Sequence, residues 1–269
     1  AFGSDDDLKV LSQGIGNQSL DVGFHEQFHR LLGSWDWRLA PGLTHHFAPF
    51  VGLTRVEFEG NNSNTTNNTS TNVGGAIDTW NWGLRDQLQL DLNDAVTFRT
   101  GLDYLGQTFG VNFDVPLPIE LGSFPREFSR ISGVNQTFSS NVFNNASGVY
   151  LEAELSPWKG LKIVPGVRAE LTIFTFLPNK LPDGTTSDPA AAQLFHVDPR
   201  ITARWELLPW TTVKAAFGVY REPPQPDQIN ATTGNPNLVE PRAVHVIGGV
   251  EQGLTKDIHI DVQLYYTNR

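Results

Sequence analysis

The sequence predicts an all-β chain whose antiparallel strands cross a membrane as a section of a β-barrel. Three observations carry that expectation. Side chains alternate apolar and polar with a period of two over long stretches; short and long connections follow one another in strict turn; and the polar and apolar residues sort onto opposite faces. A soluble sandwich has no reason to collect its long loops at one end. A β-propeller is the competing architecture, suggested by a fifty-two-residue spacing between two similar segments. A blade packs four short strands into one repeat, whereas this spacing holds two long strands and one long loop.

Composition narrows the classes. Charged residues are 18% of the 269, below the roughly 25% of an average soluble domain, and aromatics reach 11% with seven Trp. Cysteine is absent, which removes disulfides, thiolate nucleophiles and Cys-bound zinc. A net charge of -10 without a basic stripe argues against nucleic acid as a partner. No apolar run approaches the roughly 20 residues of a spanning helix, but a barrel strand needs only about 9 to 11 alternating residues. There is no Gly-x-Ser-x-Gly elbow, phosphate loop or dinucleotide glycine pattern, so neither catalysis nor a cofactor is expected.

Taken in order, the alternation gives about ten strands: 20 to 39, 43 to 58, 76 to 91, 95 to 107, 147 to 156, 161 to 174, 196 to 208, 211 to 220, 241 to 252 and 257 to 268. Residues 1 to 19 are expected as an extracellular loop region and 20 to 269 as barrel strands and loops. The pair around Asn93 shows the logic. Trp80, Trp82, Leu84, Leu88 and Leu90 share one parity with Val96, Phe98, Leu102 and Tyr104, which requires an odd turn, here Leu92 to Asp94; Asp86 is the one polar residue in the apolar set.

Connections near Pro41, Asn93, Trp158, Pro209 and Gly253 take three to five residues, while those at 59 to 75, 108 to 146, 175 to 195 and 221 to 240 are several times longer. Outer-membrane barrels keep short turns on the periplasmic side and long loops outside. On that rule the first and last strands leave both ends of this chain outside, as expected of an internal section of a larger barrel. The segment 59 to 72 is low-complexity Asn, Ser and Thr, expected as a solvated loop. In 109 to 128 an apolar residue occupies nearly every second position, which suggests a packed or ligand-covering loop.

The face sorting places Arg85, Gln87, Arg99, Tyr150, Glu152, Glu154, Arg168, Glu170, Arg200, Arg204, Glu206, His259, Asp261 and Gln263 toward a polar lumen, with Leu, Val, Ala, Phe and Trp toward lipid. Trp35, Trp37, Trp80, Trp82, Trp158 and Trp210 are expected at the membrane-water boundary. Two of them belong to the repeated segments ELSPWKGLK (154 to 162) and ELLPWTTVK (206 to 214). Read as five-residue periplasmic turns, these set Glu154 opposite Lys162 and Glu206 opposite Lys214.

HEQFH, from His25 to His29, fits the helical zinc-protease pattern, with His25 and His29 as ligands and Glu26 activating water. Gly23 and Gly33 bracket it and the residues beyond read as a strand, so the zinc-hydrolase reading stands behind an outer strand extension bearing polar His. Asn-x-Ser/Thr sequons at Asn17, Asn61, Asn64, Asn67, Asn68, Asn135, Asn145 and Asn230 follow from Asn- and Thr-rich loops.

The stretch from His196 to Glu251 carries a family resemblance. Pro199, Arg200, Ala203, Arg204 and Trp205 lead to a short turn; the next strand ends in Gly218 and Tyr220; Pro223 and Pro224 open a loop; and Gly234, Asn235, Pro236, Leu238 and Pro241 precede a new strand. This combination resembles the TonB-dependent receptors of bacterial outer membranes over about fifty-five residues. The resemblance implies a 22-stranded barrel around a plug domain, which binds a scarce nutrient (siderophore-like, cofactor, carbohydrate or peptide) and imports it with energy delivered through the TonB complex. The plug and the TonB-contacting segment are expected outside this chain, with the rest of the barrel and membrane lipid as further partners. Ligand contacts are expected from the outer loops, at Arg221, Glu222, Gln225, Asn235, Phe109, Phe113 and Phe124. A passive porin or structural barrel is the alternative function.

Overall fold

The computed structural model describes residues 1–13, 18–64, 69–116, 135–178, 185–229 and 235–269. Among them lies one antiparallel sheet built from β1 (Phe2–Gln13), β2 (Gln18–Leu32), β3 (Trp35–Ala40), β4 (Leu43–Asn64), β5 (Thr69–Asn93), β6 (Val96–Pro116), β7 (Asn135–Trp158), β8 (Leu161–Phe176), β9 (Ala190–Leu208), β10 (Thr211–Arg221), β11 (Arg242–Gly253) and β12 (His259–Asn268). A single turn of helix, α1 (Pro226–Ile229), follows β10. Strands pair in chain order from β1 to β12, with β3 alone off the path and paired to β4. Each expected strand has a counterpart, and three differences have physical causes.

First, residues 2 to 13, expected as loop, are a strand paired to β2 from Phe2↔Arg30 to Gln13↔Ser19. Three consecutive Asp hide the alternation there. Second, the expected strand 20 to 39 is broken into β2 and β3 at Gly33 and Ser34. The break falls opposite Pro49, which has no N–H to give the ladder; only Gly33 N–H to Pro49 C=O, at 3.0 Å, spans it. Third, β4 to β7 run 21 to 25 residues, well past their expected ends. The low-complexity stretch is itself paired, as in Asn61↔Asn72 and Ser63↔Ser70.

The outer face explains the third difference. On β4 it reads Leu43, His45, Phe47, Pro49, Val51, Leu53 and then turns polar at Arg55 and Glu57; on β5 it runs from Leu90 to Trp80 and then meets Asp78; on β7 Leu155, Leu151 and Val149 give way to Ser147 and Asn145. Leu43 to Leu53 spans about 33 Å along the strand at ~3.3 Å per residue, which at the usual barrel tilt is close to the apolar band of about 25 Å. Above that height both faces meet water. The side-chain signal vanishes while the backbone ladder continues.

At the other end, two-residue turns connect four pairs of strands, at Pro41–Gly42, Asp94–Ala95, Lys159–Gly160 and Pro209–Trp210, while residues 254–258 join β11 to β12. The two-residue turns replace the expected three- and five-residue turns, because a bulge beside each of the four supplies the extra residue and so preserves the parity. Gly42 and Gly160 take positive φ of 74° and 80°, which the tight turn demands. The second turn residue's carbonyl then accepts from the strand after next: Gly42 from Asp91 N–H (2.7 Å), Ala95 from Ser156 (2.7 Å), Gly160 from Glu206 (2.8 Å) and Trp210 from Gly253 (2.7 Å).

The bulges also shift the repeated motif. Glu154 is not opposite Lys162, since Leu155 pairs with Ile163, but the two side chains share a face and form an ion pair across the diagonal. Glu206 lies opposite Thr212, and Lys214 opposite Arg204, so Glu206–Lys214 is not formed; Lys214 pairs instead with Glu251 (3.0 Å) and Asp261 (2.8 Å).

In the intact protein refolded into lipid vesicles, Leu151→Arg, in the middle of the apolar band, is expected to cost about 2–4 kcal/mol. Asn112→Arg, on the same face above the band, should cost under about 1 kcal/mol. Urea unfolding followed by tryptophan fluorescence measures both.

Candidate functional site

Period-two alternation brings the polar residues onto one face, where they form a chain of charge across the strands. Asp103 accepts from Arg85 (2.8 Å) and Arg168 (2.6 Å), and Arg168 reaches on to Glu170 (2.9 Å). Nearer the turns Arg99 donates to Glu154 (3.0 Å) and Glu152 (3.4 Å), and Glu152 also accepts from Arg200 (3.0 Å). Tyr150 O–H donates to Gln87 (2.7 Å), while Arg204 lies 3.5 Å from Glu206 and 3.6 Å from Glu251. Glycines make room for the largest members. A Cβ at Gly101 would sit 2.5 Å from the Tyr150 ring, and one at Gly148 would sit 2.2 Å from the Arg168 guanidinium. Above this chain lies a hollow of about 460 Å³ whose lining includes His46, Phe50, Arg85, Asp103, Arg168 and Glu170.

Higher on the same face the character changes. Val142, Phe174, Phe176 and Ala192 form a buried cluster with Phe109 packed beside it, and Ile229 of α1, 1% exposed, seats in it. The segment after β10 is therefore folded onto the sheet. Arg221 is ion-paired to Asp198 and donates to the Val197 carbonyl at 3.4 Å. Glu222 N–H donates to Pro241 C=O at 3.4 Å. Gln225 and Asn235 shape the segment itself: Gln225 N–H donates to Gln228 Oε1 (3.0 Å), and Asn235 N–H to Gln228 C=O (2.7 Å). Arg221, Glu222, Gln225 and Asn235 thus share one loop, and Phe109 lies under it. The backbone of Phe113 belongs to β6 but its side chain lies outside the described residues, as does all of Phe124.

Sequence reasoning missed the groups that fasten this loop. His196 Nδ1 lies 2.8 Å from Glu240 Oε2, its Nε2 lies 3.4 Å from Asp198, and the His196 and Glu240 side chains are each 6% exposed. His196 and Asp198 alternate on β9 with the inward Arg200, so their face was legible; their partner forty-four residues away was not. Three buried oxygens on this part of the face have no partner: Glu240 Oε1, Thr172 Oγ1 and Asn144 Oδ1. Leaving such a group unpaired costs about 1–3 kcal/mol.

The opposite face settles two further expectations. Asp86, the polar intruder in the apolar set, pairs with His45 at 3.0 Å, and Trp37 stacks on the His45 ring at 5.3 Å. HEQFH is strand, not helix. His25 and His29 share a face at a separation of about 13 Å, at ~3.3 Å per residue, and Glu26 points to the other, so the zinc-protease geometry is not formed. His25 instead meets Asp7 (2.7 Å) and Asp5 (3.5 Å), three groups whose ligand atoms approach within 4.8 Å in the open. Trp35, Trp37, Trp80, Trp158 and Trp210 are all exposed and Trp82 half-buried; Trp80 sits at the top of the apolar band and Trp158 and Trp210 at the turns.

The family model for the β-barrel of TonB-dependent receptor-like proteins matches residues 2–269. The chain belongs to the TonB-dependent receptors. Among solved structures, the copper transporter OprC matches with a TM-score of 0.65 at 11% identity, over 98% of this chain and 45% of that one. The ferric-catecholate import receptor Fiu from K12 E. coli gives 0.59 at 11% identity, over 93% and 41%, and the siderophore receptor PiuA from Acinetobacter baumannii gives 0.58 at 11% identity, over 92% and 40%. A comparison with curated protein sequences found no match. This TonB-dependent receptor chain spans less than half the length of those three structures, and like its family it resides in the bacterial outer membrane. The polar face is accordingly the lumen wall, and the long β4 to β7 extensions rise on the extracellular side.

Asp103→Ala leaves the Arg85 and Arg168 guanidinium groups without their shared carboxylate and is expected to lower stability by about 1–3 kcal/mol. Glu206→Ala, at an exposed rim position, should leave the urea midpoint unchanged.

Proposed function

We propose that this chain is part of the barrel wall of a receptor that captures a scarce nutrient outside the cell and carries it inward with TonB-derived energy. The observation that carries the reading is the family match over nearly the whole chain. The charged lumen wall and the loop folded over its upper end support it, since a polar, shaped inner surface suits selective capture. In this reading Arg221, Glu222, Gln225 and Asn235 with Phe109, Phe113 and Phe124 supply ligand contacts from the outer loops. Trp35, Trp37, Trp80, Trp82, Trp158 and Trp210 hold the barrel at the lipid headgroups. The TonB complex acts through a plug outside these residues, and the protein performs transport, not catalysis.

The nutrient is taken as a siderophore-like chelate first, with cofactors, carbohydrates and peptides behind it. The alternative of a passive porin differs in energy dependence. Cells carrying the intact gene are compared with deletion and TonB-deficient strains in media limited for one nutrient at a time. A growth advantage that disappears without TonB is the expected result; an advantage independent of TonB would overturn the reading in favour of the porin.

A further inference from the structure

We propose that His25, Asp5 and Asp7 form a binding site for a divalent transition-metal ion, with zinc as its type, on the outward face above the apolar band. Each of the three side chains offers one ligand atom, and these atoms all lie within 4.8 Å of one another. The register explains the convergence: Asp7 stands directly opposite His25, and Asp5 stands opposite Gln27 on the same face. His25 also pairs with Glu57, four residues beyond Leu53, the last apolar residue of that face. The site is therefore about 13 Å along the strand from the band's edge, at ~3.3 Å per residue. It is clear of hydrocarbon and outside the lumen, so its ion is a resident of the wall and not the cargo. His25 finds its co-ligands across the sheet in β1 rather than at His29 along its own strand.

Charge and geometry both call for a cation. Among the described residues, His25 is the only group that ion-pairs with Asp5 or Asp7, so two carboxylates share one imidazole. Arg55, on the same face, is taken by Glu57 (2.6 Å) and Asp78 (3.6 Å). The two ring nitrogens differ in role. Nδ1 lies 2.7 Å from Asp7, and because a carboxylate only accepts, Nδ1 is the donor. In the neutral ring the Nε2 lone pair then faces Asp5 Oδ1 at 3.5 Å. Two acceptors so placed repel each other unless a positive charge lies between them. Ligands bound to a tetrahedral zinc at ~2.0–2.2 Å stand about 3.4 Å apart, close to the separation found. Asp7 behind Nδ1 supplies the carboxylate that orients a metal-bound imidazole, and water completes the coordination. A ring nitrogen suits zinc and its neighbours in the first transition row, whereas calcium takes six to eight oxygens.

The test strips the full-length receptor of metal with a chelator and titrates it in detergent with zinc chloride or calcium chloride, with binding read by isothermal calorimetry. The parent is compared with His25→Gln, Asp5→Asn and His29→Gln, so that zinc held elsewhere in the barrel cancels in the difference. One zinc-binding step is expected to be roughly tenfold or more weaker in His25→Gln and Asp5→Asn, while His29→Gln keeps the parent isotherm. Zinc should also raise the urea midpoint of the parent more than that of His25→Gln, because an ion that binds only the paired strands stabilises the folded state. Heat-modifiable gel mobility identifies a variant that has failed to fold, and Asp7→Asn then takes its place with the same loss expected. The proposal falls if the parent binds no zinc, if folded His25→Gln binds zinc like the parent, if His29→Gln loses the same step, or if calcium at equal concentration displaces the zinc.

Discussion

A peptide group in hydrocarbon has no water to bond with, so each N–H and C=O at membrane depth must find a partner within the protein. That constraint orders everything else here. It requires an unbroken ladder from strand to strand, and the ladder sets a spacing of about 4.8 Å between neighbouring strands. Two chemically opposite faces follow from the pleat. Where the ladder is interrupted within the apolar band at Gly33, opposite Pro49, a bond from Gly33 to the proline carbonyl is retained. Even where the side chains carry a charge toward lipid, at Asp86, the structure answers it locally with His45 and covers the pair with Trp37.

The two faces then divide the labour. Apolar side chains outside decide the depth at which the sheet sits, and charged side chains inside give the wall its chemistry. Asp103 is shared by two arginines from different strands, and Glu152 likewise bridges Arg99 and Arg200. Arg85–Asp103 and Arg99–Glu152 join neighbouring strands, while Arg168–Asp103 and Arg200–Glu152 reach across an intervening strand, so the polar wall is stiffened laterally by side chains as well as by backbone. Near the outside this arrangement yields to an apolar cluster under Ile229, and there the lumen wall is bounded by a loop rather than by open water.

How much of this was legible depends on what each residue has to satisfy. Positions such as Leu88 and Arg85 answer to lipid on one side and lumen on the other, so their alternation announced both strand and face. Asn61, Asn72, Ser63 and Ser70 lie beyond the apolar band, where lipid no longer sets one face, so the same backbone ladder passed through them without a trace in side-chain type. Turn registers were misjudged because a bulge is a backbone event: Glu154 and Lys162 kept their face but lost direct opposition, and Glu206 lost Lys214 altogether. The His196–Glu240 link was unreadable for a different reason. It joins a strand to a loop, and loop paths follow from tertiary packing around Ile229 rather than from any local period.

The turn carbonyls have a consequence for how such a sheet grows. Each tight turn offers its last acceptor to the strand after next, so one hairpin's rim stays incomplete until the following hairpin has docked. The bond is mutual, for the N–H of Asp91, Ser156, Glu206 or Gly253 gains its partner from the same contact. Every closed turn is therefore a stitch that joins one hairpin to the next along the rim.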